Sequence, residues 1–373
     1  MRIIIFFKCN KILIQNRKMK TAIFLGAGAS AAEGAPIQSN LFRDYFKLLN
    51  NRKDFNSPEH ERDLVTFFTL MFDIDVDNGN LDNVNFPTFE EALGILDLAD
   101  FKNEAFKDFQ NINFTSNSGR IKFLRLYLIF LMADIIKHSL EKSKNIHREL
   151  ISSLNRINQI DNTILLTTNY DILCDNALLE LSIGKEVDYG VDFVNYKEGT
   201  IDRPDINSIK FFKLHGSLNW LYCPTCNTLR ITPNEKGVYN LMIDPSESYC
   251  KKCKSFYSPL IVPPTFYKDL SKVFLNQVWN KAEGELLDVE HLIFCGYSFP
   301  DADIHVKYLI KRIQKNRPHP ENLKITVINN HNGKKRAIKD EEENRFKRFL
   351  GSSVNYTQYS FEEFAKNPSI VMK

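Results

Sequence analysis

The sequence predicts an α/β fold built on a doubly wound parallel sheet, with a helical insertion and a small cysteine-rich module. Three features predict it: a glycine loop directly after an early apolar run, later apolar runs separated by helices, and two pairs of closely spaced cysteines. Alternating strands and helices are typical of parallel α/β sheets. A chain of 373 residues can hold one large domain with insertions, or two or three smaller units.

The composition is that of an ordinary globular protein. Hydrophobic residues make up 43% and charged residues 25%, and 49 basic residues nearly balance 46 acidic ones. The net charge of +3 does not predict direct binding to nucleic acid. The most apolar helical stretch, residues 126–133, is far shorter than the roughly 20 residues that a bilayer requires, so we expect no membrane contact.

Residues 1–18 are predicted to be an N-terminal extension outside the fold. Their apolar run, residues 3–7, is short, and basic residues interrupt the sequence after it, whereas a signal peptide needs a longer apolar core and a cleavage site. We therefore expect a cytoplasmic protein whose domain covers residues 19–365 and is followed by a tail at 366–373. A helical insertion is expected at about 51–160.

The stretch TAIFLGAGASAAEGAP, residues 21–36, is predicted to contain the first strand, a tight turn and the start of a helix. A short apolar run of this kind is typical of a buried parallel strand, and it leads into Gly26 and Gly28. Glycine lets the backbone turn tightly and approach a ligand, and a helix N-terminus favours a pyrophosphate. The alternative is an ordinary strand-to-helix turn.

The segment after the glycine loop is predicted to be mostly helical. A dinucleotide dehydrogenase would show an acidic residue at the end of a second strand about 20 positions later, and none appears. Helices are instead expected over residues 41–50 and 120–142. Thr88, with Glu91 three residues later, forms a capping box before another amphipathic run.

Four further strands are predicted, at residues 163–168, 209–214, 291–295 and 324–328. All five predicted strands end in residues that are polar or very small: Gly26, Gly28 and Ser30; Asn169 and Asp171; His215, Gly216 and Ser217; Gly296 and Ser298; and Asn329. Ligands of open α/β sheets bind at the carboxyl ends of the strands. We therefore expect these five ends to converge on one site in a Rossmann-like sheet.

The cysteine pairs predict a structural zinc site. Cys223 and Cys226 stand in CPTC, and Cys250 and Cys253 stand in CKKC, with 23 residues between the pairs. Two thiolate pairs give zinc a closed tetrahedral shell. We expect a zinc ribbon at about 221–258, and the alternative is four buried free thiols.

The segment PDADIH offers Asp301, Asp303 and His305 as possible metal ligands. We favour a different interpretation over metal binding, namely an N-cap aspartate on a helix that begins near Asp303.

Taken in order, these motifs resemble the sirtuin (silent-information-regulator) family. The motifs that correspond are GAGAS with Gly34-Ala35-Pro36, TTNYD at 167–171, LHGS at 214–217, the four cysteines, GYS at 296–298, and Asn329. The resemblance implies NAD as the substrate and a structural zinc ion. Deacylases of the family continue the first loop with Asp-Phe-Arg and carry Phe-Gly-Glu after the zinc module. Here Ile37-Gln38-Ser39 and IVPPTFYK at 261–268 stand instead, which is more similar to the bacterial antiphage-defence branch, whose members hydrolyse NAD.

Three catalytic residues are predicted. His215 can act as a general base near neutral pH, and a core or turn histidine is the alternative. Asn169 can orient a water or a ribose, or simply form the turn. Asp171 resembles the family position that binds the nicotinamide carboxamide, and it could equally cap the next helix. The residues predicted to bind NAD are Gly26, Ala27, Gly28, Ser30, Pro36, Thr168, Asn169, Asp171, Gly296, Ser298 and Asn329.

Three functions follow from this interpretation. The first is an NAD glycohydrolase that releases nicotinamide and ADP-ribose. The second is an NAD-dependent protein deacylase or ADP-ribosyl transferase, and the third is a subunit that senses NAD or ADP-ribose without turnover. Family analogy also predicts a homo-oligomer, or association with a DNA-translocating ATPase or another defence partner.

Overall fold

A computed structural model of the chain describes residues 18–38, 40–51, 59–77, 80–107, 118–141, 143–181, 185–192, 196–197, 200–201, 207–232, 237–262, 272–331, 333 and 335–372. The strands are β1 (Thr21–Leu25), β2 (Thr163–Thr167), β3 (Val187–Asp188), β4 (Tyr196–Lys197), β5 (Thr200–Ile201), β6 (Ile209–Lys213), β7 (Gly216–Tyr222), β8 (Leu229–Ile231), β9 (Ser258–Ile261), β10 (His291–Cys295), β11 (Lys324–Ile328) and β12 (Asn355–Thr357). The helices are α1 (Ala27–Glu33), α2 (Leu41–Asn51), α3 (Glu59–Phe72), α4 (Phe89–Lys102), α5 (Ser118–Ser139), α6 (Ile146–Arg156), α7 (Leu173–Glu180), α8 (Gly237–Ile243), α9 (Val273–Leu286), α10 (Ile304–Asn316), α11 (Arg336–Leu350) and α12 (Phe361–Lys366). All but the last residue of the predicted N-terminal extension lie outside the described residues.

A seven-stranded parallel sheet, in the order β12-β11-β10-β1-β2-β6-β3, lies at the centre of the fold. The central strand β1 pairs with β2 on one side and with β10 on the other. The chain builds one half of the sheet outward from β1 and then returns to build the other half from β10, so the strand order reverses between these two neighbours. This topology confirms the predicted doubly wound α/β fold, and its switch point is where such sheets bind ligands.

Both faces of the sheet are covered by helices, so its strands are buried on both sides. In β1, Ala22 and Phe24 pack toward α9, α10 and α11, whereas Ile23 and Leu25 pack toward α1, α6, α7 and α12. All five residues of β1 are buried. Continuous apolar strands of this kind are the signature of a doubly covered parallel sheet, which explains why the sequence revealed them.

The helices α2, α3, α4 and α5 build a separate hydrophobic core, which they share with β7, α8 and the cysteine module. The predicted capping box is confirmed at the start of α4, where the backbone N–H of Thr88 donates to Glu91 Oε2 at 2.7 Å. The long helix predicted over 120–142 forms as α5, with both of its ends two to three residues earlier. Within the described part of the chain, no helix combines the length and apolar character that a bilayer crossing requires.

A three-stranded antiparallel sheet, β8-β7-β9, is joined to the parallel sheet by a short turn between β6 and β7. The turn between β6 and β7 consists of Leu214 and His215 alone, and Gly216 follows with φ of +78°. A Cβ atom at Gly216 would lie 1.9 Å from the carbonyl oxygen of Leu260, so a side chain is excluded there. Glycine at this position therefore allows the sharp turn that carries His215.

Candidate active site

A cavity of about 410 Å³ lies at the carboxyl ends of the parallel strands, next to the switch point. The predicted site residues that line it are Ala27, Gly28, Ser30, Pro36, Thr168, Asn169, Asp171, His215, Gly296, Ser298 and Asn329. Gly26 is buried behind them, and its carbonyl contacts Asn169. The structure thus brings the candidates from five strand ends together, while the roles predicted for them remain predictions.

Asn169 connects the second strand end to the glycine loop. Its Nδ2 donates to the carbonyl of Gly26 and to Ser30 Oγ, both at 2.8 Å. Because a carbonyl can only accept, the atom beside Gly26 must be the amide nitrogen. Both N–H groups are therefore used within the protein, and Oδ1 is the atom through which Asn169 can accept a hydrogen bond from a ligand hydroxyl or a water.

Asp171 is buried and serves both the cavity and the next helix. Its Oδ2 accepts the hydroxyl of Ser30 at 2.6 Å, and its Oδ1 accepts the backbone N–H of Leu173, the first residue of α7, at 3.1 Å. Asp171 thus satisfies one free N–H of α7, although it stands one residue before Ile172, the N-cap of this helix. A carboxylate oxygen has room for more than one donor, so capping does not prevent contact with a ligand.

His215 is only 1% exposed, and its neighbours fix its position. Its carbonyl accepts the backbone N–H of Val262 at 2.9 Å. Its ring lies 6.5 Å, centre to centre, from the ring of Tyr170, with 29° between the planes. The Tyr170 hydroxyl donates to the carbonyl of Val262 at 2.8 Å. Burial, together with the charge of Asp303, raises the pKa of Tyr170 well above its usual value, so the residue stays a neutral donor.

The glycine loop is held against the loop that follows β10. The backbone N–H of Gly28 donates to the carbonyl of Gly296 at 2.8 Å, and that of Ala29 donates to the carbonyl of Gly26 at 3.0 Å. A Cβ atom at Gly28 would lie 2.8 Å from the same Gly296 oxygen. Glycine is therefore required here for contact between two loops, a reason that the sequence alone did not reveal.

Near the end of β11, Asn329 Nδ2 donates to Glu342 Oε2 on α11 at 2.8 Å, and both residues line the cavity. Asp303 stands at the N-cap of α10, as predicted, but its side chain does not cap the helix. Its Oδ2 accepts the hydroxyl of Tyr297 at 2.7 Å instead. Burial, reinforced by the charge of Asp303, raises the pKa of Tyr297.

A second wall of the cavity, the helical wall, comes mostly from helices that the sequence did not connect to the site. Its residues are Ile37 and Gln38 before α2, Leu41 in α2, Phe89 and Glu90 at the start of α4, and Met132 and Ile136 in α5. This wall is mostly apolar, unlike the strand ends. The capping box marked where α4 begins, but no signal in the sequence indicated that the first turn of α4 faces the cavity.

The four cysteines could hold a zinc ion. Their sulfur atoms all lie within 4.8 Å of one another, and the Sγ atoms of Cys223 and Cys253 are 3.3 Å apart. Tetrahedral zinc with bonds of about 2.3 Å places its sulfurs roughly 3.8 Å apart, so the donor set and the spacing fit. Hydrogen bonds from Ser255 lower the pKa of Cys253 to about 6, whereas burial raises the pKa of Cys223 to about 11, so the protein favours the metal-binding thiolate at Cys253 but not at Cys223.

The two cysteine pairs lie in two turns of the same type. The backbone N–H of Asn227 donates to the carbonyl of Cys223 at 2.9 Å, and that of Lys254 donates to Cys250 at 2.8 Å. Both donors have positive φ, 52° and 62°. Among the described residues this is the one group of three or more His, Cys, Asp or Glu side chains close enough to share a metal ion, and the PDADIH segment does not form another.

Similarity to known proteins identifies the sequence family of this chain. No curated protein matches the chain. One solved structure, described as "Structural Basis for the Mechanism and Regulation of Sir2 Enzymes", is similar at 16% identity over 93% of this chain and 90% of that chain, with a TM-score of 0.40. The sequence model of the SIR2-like domain matches residues 163–350, which is half of the chain and includes β2 to β11. This chain therefore belongs to the SIR2-like domain family.

Proposed function

We propose that this chain is an NAD glycohydrolase that cleaves the bond between nicotinamide and ribose, with water as the acceptor, in bacterial antiphage defence. Membership of the SIR2-like family suggests an NAD-dependent enzyme. The observation that carries the proposal is that Ser30, Asn169, Asp171 and His215 line one cavity at the switch point of the sheet. Such a cavity is where an α/β sheet binds a nucleotide.

Cleavage of this bond depends more on the positions of the reacting groups than on activation of the leaving group, because nicotinamide leaves as a neutral molecule from a cationic ring. The transition state resembles an oxocarbenium ion, and a site that stabilises it places negative or accepting atoms around the ribose. Asn169 Oδ1 is suited to hold a ribose hydroxyl or the attacking water. His215 would accept the proton that this hydroxyl or water loses.

The remaining candidates would bind the rest of the dinucleotide. Asp171 would accept the carboxamide N–H of nicotinamide while it keeps its bonds to Ser30 and Leu173. The glycine loop would lie beside the phosphates, and Gly296, Ser298 and Asn329 would surround the adenosine half. By family analogy, we also propose a homo-oligomer, or association with a DNA-translocating ATPase or another defence partner.

Water is preferred to an acylated protein as the acceptor because both peptide-side segments of the deacylases are missing from the sequence. Ile37 and Gln38 stand at the cavity where deacylases carry their Asp-Phe-Arg segment. The second segment falls mostly on residues 263–268, which lie outside the described residues. Activity measurements with and without an acylated peptide therefore decide between water and an acylated protein as the acceptor.

The test is an incubation of the purified full chain with NAD, with and without an acetylated peptide, at several protein concentrations. The proposal expects nicotinamide and ADP-ribose in equal amounts without peptide, and a rate per chain that rises with concentration if the active form is an oligomer. Turnover that requires the peptide would favour a deacylase. NAD binding without any turnover would favour a sensing subunit.

A further inference from the structure

A fully buried lysine lies directly beneath the proposed site. Lys213, the last residue of β6, and Asp175, in the first turn of α7, are both 0% exposed, and Lys213 Nζ lies 2.7 Å from Asp175 Oδ2. The same ammonium group donates to the backbone carbonyl of Asp171 at 2.7 Å. Lys213 therefore connects its own strand, which leads into His215, with the turn that carries Asn169 and Asp171.

The acidic partner is itself held in place. Asp175 Oδ1 accepts the hydroxyl of Tyr189 at 2.9 Å, and Asn219 Nδ2 lies 3.5 Å from the same oxygen. The ammonium and the carboxylate are therefore compensated by hydrogen bonds within the protein rather than by water.

The stability of the fold does not by itself explain why such a buried ion pair is present. Removing two charges from water is costly, and buried ion pairs can often be replaced by neutral groups of similar volume without loss of stability. A lysine can, however, bond a backbone carbonyl and a carboxylate at the same time, because its ammonium group has three donors. The value of this pair therefore lies in the geometry that it fixes.

We propose that Lys213 and Asp175 are positioning residues, which set the turn bearing Asn169 and Asp171 relative to His215. Neither residue lines the cavity, so both act through the residues that do. A turn released from Lys213 would carry Asn169 Oδ1 and the Asp171 carboxylate away from the His215 ring. This inference rests on the proposed function for its effect on turnover, but not for its effect on the turn.

The decisive variant is the double change K213M/D175N, which keeps side-chain volume, removes both charges and retains an acceptor for Tyr189. K213M alone would leave a buried carboxylate without its cation, which is strongly destabilising. The matched control is K144M. It removes an exposed lysine whose Nζ lies 3.7 Å from Glu362 Oε1 on α12, and neither residue of this exposed pair lines the cavity.

Two measurements are made on the full chain. In the double variant we expect kcat for NAD cleavage to fall about 10- to 100-fold while KM changes less than about threefold, because misplaced reacting groups affect turnover more than binding. We also expect hydrogen exchange of the amides in residues 168–174 to accelerate at least about tenfold, with β1 and β10 unchanged. K144M should alter neither, because exposed ion pairs contribute little to stability.

The outcomes separate the two proposals. If the wild-type chain cleaves no NAD, the proposed function fails, and the exchange measurement alone decides the positioning role. If the wild type is active and the double variant keeps kcat within twofold, the inference is wrong. Unchanged exchange in residues 168–174, or acceleration throughout the sheet, would also overturn it, since the latter indicates a general loss of stability.

Discussion

The two walls of the cavity are built by different physical means. On the strand-end wall, polar residues sit in short turns directly after strands, and hydrogen bonds such as that between Ser30 and Asp171 hold them in place. On the helical wall, side chains such as Phe89 and Met132 belong to a separate hydrophobic core or contact it. Hydrogen bonds fix the strand-end wall, and hydrophobic packing fixes the helical wall.

This difference suggests that the two walls have different functions. Hydrogen-bonded groups on rigid strand ends hold the geometry that chemistry requires, whereas an apolar wall offers shape and excludes water. Changes on the strand-end wall should therefore reduce turnover, and changes on the helical wall should alter substrate affinity or stability. Single substitutions in each wall and outside both walls test that contrast.

The largest effect is expected from H215A. If His215 accepts the proton, its loss should lower kcat about 1,000-fold, within the range of general-base catalysis. The measurement is the initial rate of nicotinamide release, and circular dichroism checks that the variant folds. A folded variant with nearly full activity would show that His215 is a core histidine only.

N169A is expected to lower kcat about 100-fold. The change removes Oδ1 from the cavity and also the two bonds to Gly26 and Ser30, so the glycine loop loses one of its anchors. N169D is the informative companion, because it retains an oxygen but cannot donate to the Gly26 carbonyl. Equal activity in both variants and the wild type would remove Asn169 from the mechanism.

Loss of zinc should act on the helical wall. Cys223 and Cys250 belong to the same core as α2 to α5, so C253S should abolish stoichiometric zinc, lower Tm by on the order of 10 °C and reduce activity about tenfold. Metal analysis of the wild type should find one zinc ion per chain. A wild type that contains none, together with a C253S variant of unchanged Tm, would refute the zinc site.

I37A tests whether the helical wall touches the substrate. Ile37 is 46% exposed and lines the cavity, so its removal should leave stability almost unchanged. If bound NAD covers this side chain, KM should rise about fivefold, equivalent to about 1 kcal/mol of lost apolar contact, with kcat unchanged. A fall in kcat with a constant KM would contradict the division between the walls.

The smallest effect on activity is expected from E33Q, because Glu33 lines neither wall of the cavity. Glu33 ends α1, and its Oε1 accepts the backbone N–H of His147, at the start of α6, at 2.7 Å. Burial raises the pKa of Glu33, but hydrogen bonds from His147 and Ser143 outweigh it and lower the pKa to about 2. We expect E33Q to change kcat less than twofold and to reduce the free energy of unfolding by about 2 kcal/mol at pH 7.

The pH dependence of this stabilisation has a definite sign. The folded-state pKa lies below the ordinary value of 4.5, so the contribution is complete above about pH 4.5 and is lost as the pH falls toward 2. Urea unfolding of both proteins should therefore converge at low pH. A difference that grows upon acidification would contradict the assignment.

The sequence predicted the strand-end wall well because the residues that define each strand end lie close together in the sequence. Each turn follows its strand directly, so the apolar run and the polar residue that ends it lie within a few positions, as at Thr167 and Asn169. The edge strands β3 and β12 were missed because two or three residues are too short for a periodic pattern.

The helical wall could not be predicted because its residues meet only through packing. Ile37 and Met132 are almost 100 positions apart, and the amphipathic patterns show that helices bury one face without showing what that face covers. The positioning pair was missed for the same reason. Lys213 is a charged residue at the end of an apolar strand, and only the fold places Asp175 beside it.

The most direct test of the proposed activity is the rate of nicotinamide release from NAD, without any peptide, by the wild-type chain and the H215A and K144M variants. We expect steady release with matching ADP-ribose by the wild type and by K144M, and a loss of about 1,000-fold in H215A. Equal rates in all three proteins, or no release by a folded, zinc-bound wild type, would contradict this expectation.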